Sequence, residues 1–330
     1  MSTFYVSVSC LDLDDELIHT IRSAKDNATN PKNIHFGIAI IGNIEFYEFI
    51  IERIKFFRYE NISCQYYPLE GNLGVGHGRS LAQSMYDSQD YFLQVDAHTF
   101  FDVGWDVFIK EKFDVISKSV NNQKTVVSGY PGRYGYFDEF GNETFWFRDN
   151  FNYPRYLKGE FKIKGKDIPA WGDCPPIYIS TELDGIVEKY GFAPITKISA
   201  AFILSNRYFV EDNCLEPGSI FWEEEVCQSV NLIDRGFTMV YAGKRMPIHH
   251  LYADDIIKKK GNRSIILNFV NSDDFWNRMS KSYNDFLDNP LNAKKISFYE
   301  SYADINLRYG PTKQGAFAKK FANLSYIPFR

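Results

Sequence analysis

The sequence predicts an α/β fold in which helices flank a mostly parallel central β-sheet, with a C-terminal helical annex. Short apolar runs alternate with segments of helical periodicity in the first third of the chain. The run 35–41 (HFGIAII) is nearly continuous, which is typical of a strand buried on both faces of a parallel sheet. The same alternation returns after residue 196. This order favours right-handed βαβ units and an open sheet.

The first elements form strand and helix pairs. Residues 4–10 (FYVSVSC) are a β-rich run, and the acidic DLDD after it predicts the cap of a helix with apolar positions from Leu17 to Ala24. Next come strand 35–41, helix 45–57, strand 62–67, the glycine-rich turn GNLGVGHGRS, a helix from Leu81 and strand 91–96. Ligands of open α/β sheets bind beyond the carboxyl ends of the strands, so the residues that end strand 91–96 occupy a functional position.

The second half resumes the pattern after a long irregular segment. Strand 124–131 leads into residues 132–196, which are rich in glycine, proline, aromatic and charged residues and which we interpret as loops over the cleft. The later elements are strand 197–205, a helix within 219–237 that ends at Gly236, strand 238–243 and polar helices in 260–330. We therefore expect one main domain over residues 1–258 and a helical annex over 259–330.

Composition excludes several classes of protein. The 330 residues carry a formal net charge of −5, which gives no chain-wide attraction to nucleic acid or anionic lipid. No apolar run reaches the roughly 18 residues that span a bilayer, and the N-terminus lacks the layout of a secretion signal. The five cysteines form no CxxC pair and indicate free thiols in a reducing compartment. We expect a cytoplasmic protein without a membrane partner.

A candidate metal site follows strand 91–96. In an extended segment residues i and i+2 point the same way, so Asp96 and His98 can converge on one divalent ion. A carboxylate with imidazoles suits Mn²⁺, and Mg²⁺ is tolerated. The segment MPIHHLY offers His249 or His250 as a third ligand, and two neighbouring histidines point to different sides.

The glycine-rich turn presents a second candidate. Its G-x-x-G-x-G-x-G spacing differs from the dinucleotide fingerprint, so a Rossmann dehydrogenase is poorly supported. Arg79 lies near a predicted helix N-terminus, where free amides and a guanidinium together can hold a phosphate. The alternative is a surface turn with an exposed arginine.

Three acids, Glu223, Glu224 and Glu225, stand at a predicted helix start, where carboxylates gain from the helix dipole. Capping alone explains one or two of them. A pair of glycosidase carboxylates is a poorer interpretation, because adjacent helix residues diverge instead of flanking one bond.

Taken in order, the motifs resemble glycosyltransferase family 60, the cytoplasmic N-acetylglucosaminyltransferases of the GT-A type that act on hydroxyproline or related protein hydroxyls. The matching stretches are GHGRSLAQ, YFLQVDAHTFFDVGWD, VVSGYP, ISAAFILS, LEPGSIFWEEEVCQSVNLIDRGF and IHHLY, within about residues 4–252. The polypeptide N-acetylgalactosaminyltransferases share a similar D-x-H motif. The resemblance implies a Rossmann-like nucleotide-sugar-binding fold, a UDP-sugar donor such as UDP-GlcNAc, and transfer with retention of the anomeric configuration.

The resemblance also implies roles for single residues. Asp96 and His98 would bind metal and donor diphosphate, and His250 would be the third metal ligand. Arg79 would contact the donor, and Ser9 with Cys10 would lie where the nucleotide base is held.

The same resemblance assigns the acids to the acceptor side of the cleft. In a sugar-transferring cleft, Glu224 or Glu225 can orient the acceptor or stabilise positive charge on the sugar. The chain departs from the family at Glu223, Asn231 and Ala201, where Gly, Arg and Gly are usual, which leaves the acceptor more open than the donor chemistry.

Three functions compete on this basis. The first is transfer to a protein hydroxyl. The second is transfer to a hydroxymethylated base in DNA, which a phage or giant virus origin would fit. It predicts a basic groove built from Arg133, Arg148, Arg155, Lys158, Lys162, Lys164 and Lys166, for which a solvated charged loop is the alternative. The third is an inactive nucleotide-sugar-binding protein.

Overall fold

A computed structural model gives the structure of the protein. It describes residues 2–11, 14–68, 74–137, 143–148, 162–163, 166–167, 187, 191–221, 223–243, 246–252, 273–303, 305–307 and 310–311.

The described strands, in chain order, are β1 (Phe4–Leu11), β2 (Ile34–Gly42), β3 (Ile62–Pro68), β4 (Tyr91–Asp96), β5 (Thr99–Phe101), β6 (Thr125–Ser128), β7 (Gly132–Phe137), β8 (Glu143–Arg148), β9 (Lys162–Ile163), β10 (Lys166–Asp167), β11 (Ala193–Pro194), β12 (Phe202–Asn206), β13 (Thr238–Tyr241), β14 (Ile248–His250), β15 (Ile305–Asn306) and β16 (Gly310–Pro311). The described α-helices are α1 (Glu16–Asp26), α2 (Ile44–Phe57), α3 (Val75–Gln83), α4 (Trp105–Val120), α5 (Tyr208–Glu211), α6 (Glu223–Asp234), α7 (Asp273–Asp288) and α8 (Ala293–Ala303). No helix in these ranges is both long and apolar enough to cross a membrane.

The central sheet has the strand order β11-β13-β6-β12-β4-β1-β2-β3. The half that contains β4, β1, β2 and β3 is parallel throughout. Strand β12 is antiparallel to β4 and β6, β13 is parallel to β6, and β11 is antiparallel to β13. The predicted α/β fold with a mostly parallel sheet is confirmed, and the antiparallel strand β12 lies in its middle.

A second sheet, β5-β14-β7-β8, lies next to the carboxyl end of β4. Residues 132–137 and 143–148 form its strands β7 and β8, so the prediction of loops is wrong for this part of 132–196. The aromatic residues that obscured the sequence pattern contact one another across these strands: the rings of Tyr136 and Phe145 lie 5.5 Å apart. The acceptor role expected of the whole segment stays a prediction.

From Val75 onward the glycine-rich stretch is a helix and not a turn. Helix α3 begins at Val75, whereas the sequence predicted a helix from Leu81. A Cβ at Gly74 would meet the Ser219 carbonyl oxygen at 2.1 Å, and one at Gly78 would meet Ser9 Oγ at 2.2 Å. The glycines therefore allow α3 to pack closely against neighbouring backbone and side chains, at the cost of helix propensity.

Two hydrophobic clusters fill the interior. The first contains Trp105, which is fully buried and donates from Nε1 to the Ala24 carbonyl at 2.9 Å, and also Cys10. The second contains Phe92 of β4, Cys227 of α6 and Tyr299 of α8. Cys10 and Cys227 are small buried side chains within these clusters, at 0% and 1% exposure.

The C-terminal helices contribute to this second cluster. Tyr299 also donates a hydrogen bond to the Thr196 carbonyl at 2.8 Å, so α8 is tied to the segment before β12. Helices are thus present in the region expected to be a helical annex, and α7 and α8 both pack on α6. The domain division after residue 258 stays a prediction.

Candidate functional site

The predicted metal ligands meet at the carboxyl end of the central sheet. Asp96 is the last residue of β4, and His98 lies in the turn between β4 and β5. Strand β14 pairs with β5 in a register that sets His250 opposite Thr99. The second sheet thereby brings His250 to a carboxylate that precedes it by 154 residues.

These three side chains form a compact group. One ligand atom from each of Asp96, His98 and His250 lies within 4.8 Å of the others. Nε2 of His250 is 3.0 Å from Oδ2 of Asp96, and the two imidazole rings have centroids 4.6 Å apart. His249 points to the other side of β14 and pairs with Asp102 at 2.9 Å. The geometry therefore selects His250 from the two histidines that the sequence left open.

The group fits a small divalent cation. Ligands around an octahedral Mg²⁺ lie about 4 Å or less from one another, so a small side-chain movement closes a spread of 4.8 Å. The donor set of one carboxylate and two imidazoles is the set that suits Mn²⁺. Nδ1 of His250 is buried and makes no hydrogen bond within the described part of the chain. A buried ring nitrogen of this kind is a suitable metal ligand.

Asp14 is a site residue that the sequence prediction missed. Its Oδ2 lies 2.7 Å from Nδ1 of His98. Burial lowers the pKa of His98, but the charge and hydrogen bond of Asp14 outweigh it and leave that pKa raised. The acidic stretch after β1 was predicted to cap α1, yet the N-cap residue Asp15 makes no side-chain cap bond. A carboxylate just beyond a strand end, on the same sheet edge as Asp96, is the signal that could have identified Asp14.

Arg79 is buried between two carboxylates. It donates to Oδ1 of Asp96 at 2.8 Å and to Oε2 of Glu224 at 2.5 Å. The first amides of α3, at Val75 and Gly76, donate to the carbonyls of residues 220 and 219. The helix start predicted to hold a phosphate is thus occupied by backbone partners, and the arginine is not the exposed residue of a surface turn. Its contact with a donor stays a prediction.

Burial and charge set the protonation of this group. Burial raises the pKa of Asp96, but the hydrogen bond of His250 and the charge of Arg79 outweigh it, so the pKa of Asp96 lies well below its usual range. Burial also raises the pKa of Glu224, which Arg79 only partly offsets, and it reaches about 7. Burial lowers the pKa of His250, partly offset by Asp96. Near neutral pH the cluster thus offers an ionised carboxylate and a neutral imidazole, which are the forms that ligate metals.

The three consecutive glutamates diverge, as expected for adjacent helix residues. Glu223 accepts hydrogen bonds from the amides of residues 220 and 221, so it caps the start of α6. Glu224 is 1% exposed and pairs with Arg79. Glu225 accepts from the Ala200 amide at 3.0 Å and pairs with Lys197 at 2.9 Å. The catalytic roles of Glu224 and Glu225 stay predictions.

The two residues predicted to hold the nucleotide base point to opposite faces of β1. Ser9 pairs in register with Asp96 and faces α3. The Cys10 side chain is fully buried in the core, which leaves only its backbone at the sheet edge.

Two further expectations meet the structure only in part. Asn231 is 2% exposed and accepts a hydrogen bond from Lys295 of α8 at 2.6 Å, so this departure from the family is buried, and its place on the acceptor side stays a prediction. Of the basic groove predicted in 132–168, the structure describes the side chain of Arg133, which packs 5.3 Å from the centre of the Tyr252 ring. The structure describes residues 148, 162 and 166 of that prediction by their backbone alone, and residues 155, 158 and 164 lie outside the described residues.

Comparisons with known proteins decide the family. The family model of the GlcNAc glycosyltransferases matches residues 47–261. This chain belongs to that glycosyltransferase family. The match confirms the resemblance found in the motifs and covers the predicted metal ligands, although it does not test them individually.

A similar solved structure supports the fold. The crystal structure of GalNAc-T7 with UDP, GalNAc and Mn²⁺ is similar, with a TM-score of 0.52 and 14% identity over 97% of this chain and 54% of that one. The chain thus spans about half of that protein. The structure of S. aureus TarS 1-349 with UDP-GlcNAc matches with a TM-score of 0.47 and 12% identity over 92% of this chain and 72% of the other. No curated protein sequence matches significantly. The GT-A fold predicted from the motifs is confirmed.

Proposed function

We propose that this chain is a metal-dependent glycosyltransferase that moves a sugar from a nucleotide diphosphate sugar to a hydroxyl group. The observation that carries the proposal is the cluster of Asp96, His98 and His250 at the sheet edge where open α/β folds bind ligands. These residues would hold Mn²⁺ or Mg²⁺. A divalent ion bound there would neutralise the negative charge that develops on the departing diphosphate, without proton transfer.

The proposed donor is a UDP-sugar, UDP-GlcNAc or a close analogue. The family description names GlcNAc, and GalNAc-T7, which shares the fold, was crystallised with UDP, GalNAc and Mn²⁺. Ser9 stands beside Asp96 in the sheet register, which supports our assignment of its hydroxyl and the Cys10 backbone to contact with the nucleotide.

Among the acids, we assign Glu225 to the sugar or the acceptor and Glu224 to positioning. Glu225 has a side chain that is 14% exposed and is held by Lys197, so its carboxylate is accessible yet oriented. Glu224 is 1% exposed and acts on Asp96 through Arg79, which bridges the two carboxylates. A preoriented carboxylate stabilises positive charge better than one that must reorganise.

The proposed acceptor is a protein hydroxyl, and the proposed stereochemistry is retention. Attack from the face that the leaving phosphate occupies needs no enzyme nucleophile. The free thiols of Cys10, Cys64, Cys214 and Cys227 are consistent with a reducing compartment. The cytoplasmic location stays a prediction.

The test is incubation of the protein with a panel of nucleotide sugars, Mn²⁺ and either a hydroxyproline-containing protein or hydroxymethylated DNA, read by mass spectrometry. One mass increment identifies sugar and acceptor together. Parallel reactions contain a chelator, the Asp96→Ala variant or, as matched control, the Asp102→Ala variant, which loses the carboxylate that pairs with His249 on the other side of β14.

We expect transfer to the protein acceptor that chelator and Asp96→Ala abolish and Asp102→Ala preserves. Transfer to DNA but not to protein would contradict the proposed acceptor and leave the proposed catalytic site unchanged. Donor binding without release of nucleotide would indicate an inactive binder. Undiminished transfer by Asp96→Ala would refute the metal assignment.

A further inference from the structure

Asp14 stands in direct contact with a proposed metal ligand but is not one of the ligands. Its carboxylate lies 2.7 Å from Nδ1 of His98. The Asp14 side chain is 6% exposed and that of His98 is 15% exposed, so water competes little for this bond. Asp14 itself is fixed at both ends of its backbone, because its amide donates to the Leu11 carbonyl and its carbonyl accepts from the Leu17 amide.

Helix α1 also holds the backbone around His98. Thr20 Oγ1 donates to the Ala97 carbonyl at 2.7 Å and accepts from the Thr99 amide at 2.8 Å. The carbonyl of His98 accepts from the Leu251 amide at 3.0 Å, which ties the turn to the segment after β14. With the backbone fixed on both sides, the orientation of the imidazole ring is the remaining freedom, and Asp14 restrains it.

We propose that Asp14 is a positioning residue that fixes the tautomer of His98 and turns its Nε2 toward the ion. This inference rests on the metal site of the proposed function. A neutral imidazole carries one proton, and a carboxylate facing Nδ1 holds that proton there. Nε2 is then left with its lone pair free to bind metal, and the carboxylate increases its basicity.

A second Asp–His pair provides an internal comparison. Asp102 and His249 have nearly the same separation, 2.9 Å, but His249 faces away from Asp96 on the other side of β14. Loss of either aspartate removes one carboxylate from one histidine. Only Asp14 does so at the proposed metal ligand, so the two variants separate a metal-specific effect from a general one.

The experiment measures Mn²⁺ affinity by isothermal titration calorimetry for the whole chain and for Asp14→Ala, Asp14→Asn and Asp102→Ala. A second readout needs no metal: long-range ¹H–¹⁵N spectra of the histidine rings report which nitrogen carries the proton, and a His98→Ala variant assigns the signal. Thermal unfolding of each variant monitors the fold.

Asp14→Ala is expected to weaken Mn²⁺ binding by about 10- to 100-fold, as for other carboxylates behind metal-bound histidines. At alkaline pH, where the imidazole is neutral, its His98 signal should change from a single tautomer protonated at Nδ1 to a mixture. Asp14→Asn keeps an oxygen that accepts from Nδ1 and should restore much of the affinity, while Asp102→Ala should match the parent.

Unchanged affinity and an unchanged tautomer in Asp14→Ala would overturn the inference, as would equal losses in Asp14→Ala and Asp102→Ala. A parent protein that binds no Mn²⁺ would refute the metal site of the proposed function and the role of Asp14 with it. An Asp14→Ala variant that loses thermal stability but keeps the parent affinity would reduce Asp14 to a structural residue.

Discussion

Replacement of Arg79 by methionine tests the charge network behind the proposed site. Arg79 is 7% exposed, and its partner Glu224 has a side chain that is 1% exposed. Removal of one partner of a buried ion pair costs about 3–5 kcal/mol, because the other charge stays buried without compensation. Asp96 adds less to this cost, since its side chain is 24% exposed and it retains His250. We expect a loss of about 3–5 kcal/mol in the free energy of unfolding at pH 8.

The cost should depend on pH in a defined direction. The pKa of Glu224 is about 7 with Arg79 present, above the value of about 4.3 for an unfolded glutamate, and loss of Arg79 raises it further. Between the unfolded and folded pKa values of Glu224 the folded state binds more protons than the unfolded state, so stability falls as pH rises. For the parent this fall ends near pH 7, whereas the higher pKa in the variant extends it to higher pH. The deficit of Arg79→Met should therefore be smaller at pH 5 than at pH 8.

Urea unfolding at both pH values measures the effect, with two companion variants. Adding Glu224→Gln to Arg79→Met removes the stranded charge and should recover part of the loss at pH 8. Arg22→Met removes an exposed pair with Asp26, whose side chains are 57% and 49% exposed, and should cost less than about 1 kcal/mol. An Arg79→Met/Glu224→Gln protein no more stable at pH 8 than Arg79→Met would refute the reasoning.

The remaining predictions concern packing, a buried lysine and the acceptor-side acid. Gly74→Ala should destabilise the fold by roughly 1–3 kcal/mol in urea unfolding, because the new methyl group meets backbone atoms. Gly218→Ala is the control and should not destabilise it, because the nearest atom to its new methyl group is 3.9 Å away. Equal effects of the two substitutions would contradict the close packing of α3. Lys25→Met removes the ammonium donor from three backbone carbonyls, of which that of Pro31 still accepts from the Ile34 amide. It should destabilise by about 1–3 kcal/mol per acceptor left buried and unpaired, again by urea unfolding, and parent-like stability would argue against those bonds. Glu225→Gln should lower kcat at least about tenfold in steady-state kinetics, with little change in the affinity for UDP measured by calorimetry. An unchanged kcat would exclude Glu225 from catalysis.

The sequence predicted those parts of the fold that depend on local pattern. The apolar run 35–41 became β2, and YFLQVD became β4, because strands buried on both faces have few alternatives. The sequence predicts a turn where α3 begins, because its glycines lower helix propensity. The reason for these glycines is nonlocal, since Gly74 packs on a segment some 145 residues later. The strands β7 and β8 escape the sequence prediction because glycines and consecutive aromatic residues leave this segment without a clear strand or helix period.

The site residues likewise divide into those that a local sequence pattern predicts and those that only the folded structure brings together. Asp96 and His98 share a local D-x-H spacing at a strand end, which the sequence shows directly. His250 joins them only through the pairing of β14 with β5, and the resemblance to a family selected it before geometry did. Asp14 was attributed to helix capping, since an acid before a helix usually has that role. Only the position of α1 over the His98 turn reveals its contact with the imidazole.

The most direct test of the account is a crystal of the protein grown with UDP and Mn²⁺, with anomalous data collected at the manganese edge. The account predicts one strong anomalous peak about 2.2 Å from a carboxylate oxygen of Asp96 and from one ring nitrogen each of His98 and His250. Bound UDP with no peak at these residues, or a manganese ion bound elsewhere, would contradict the central claim that this cluster is the metal site.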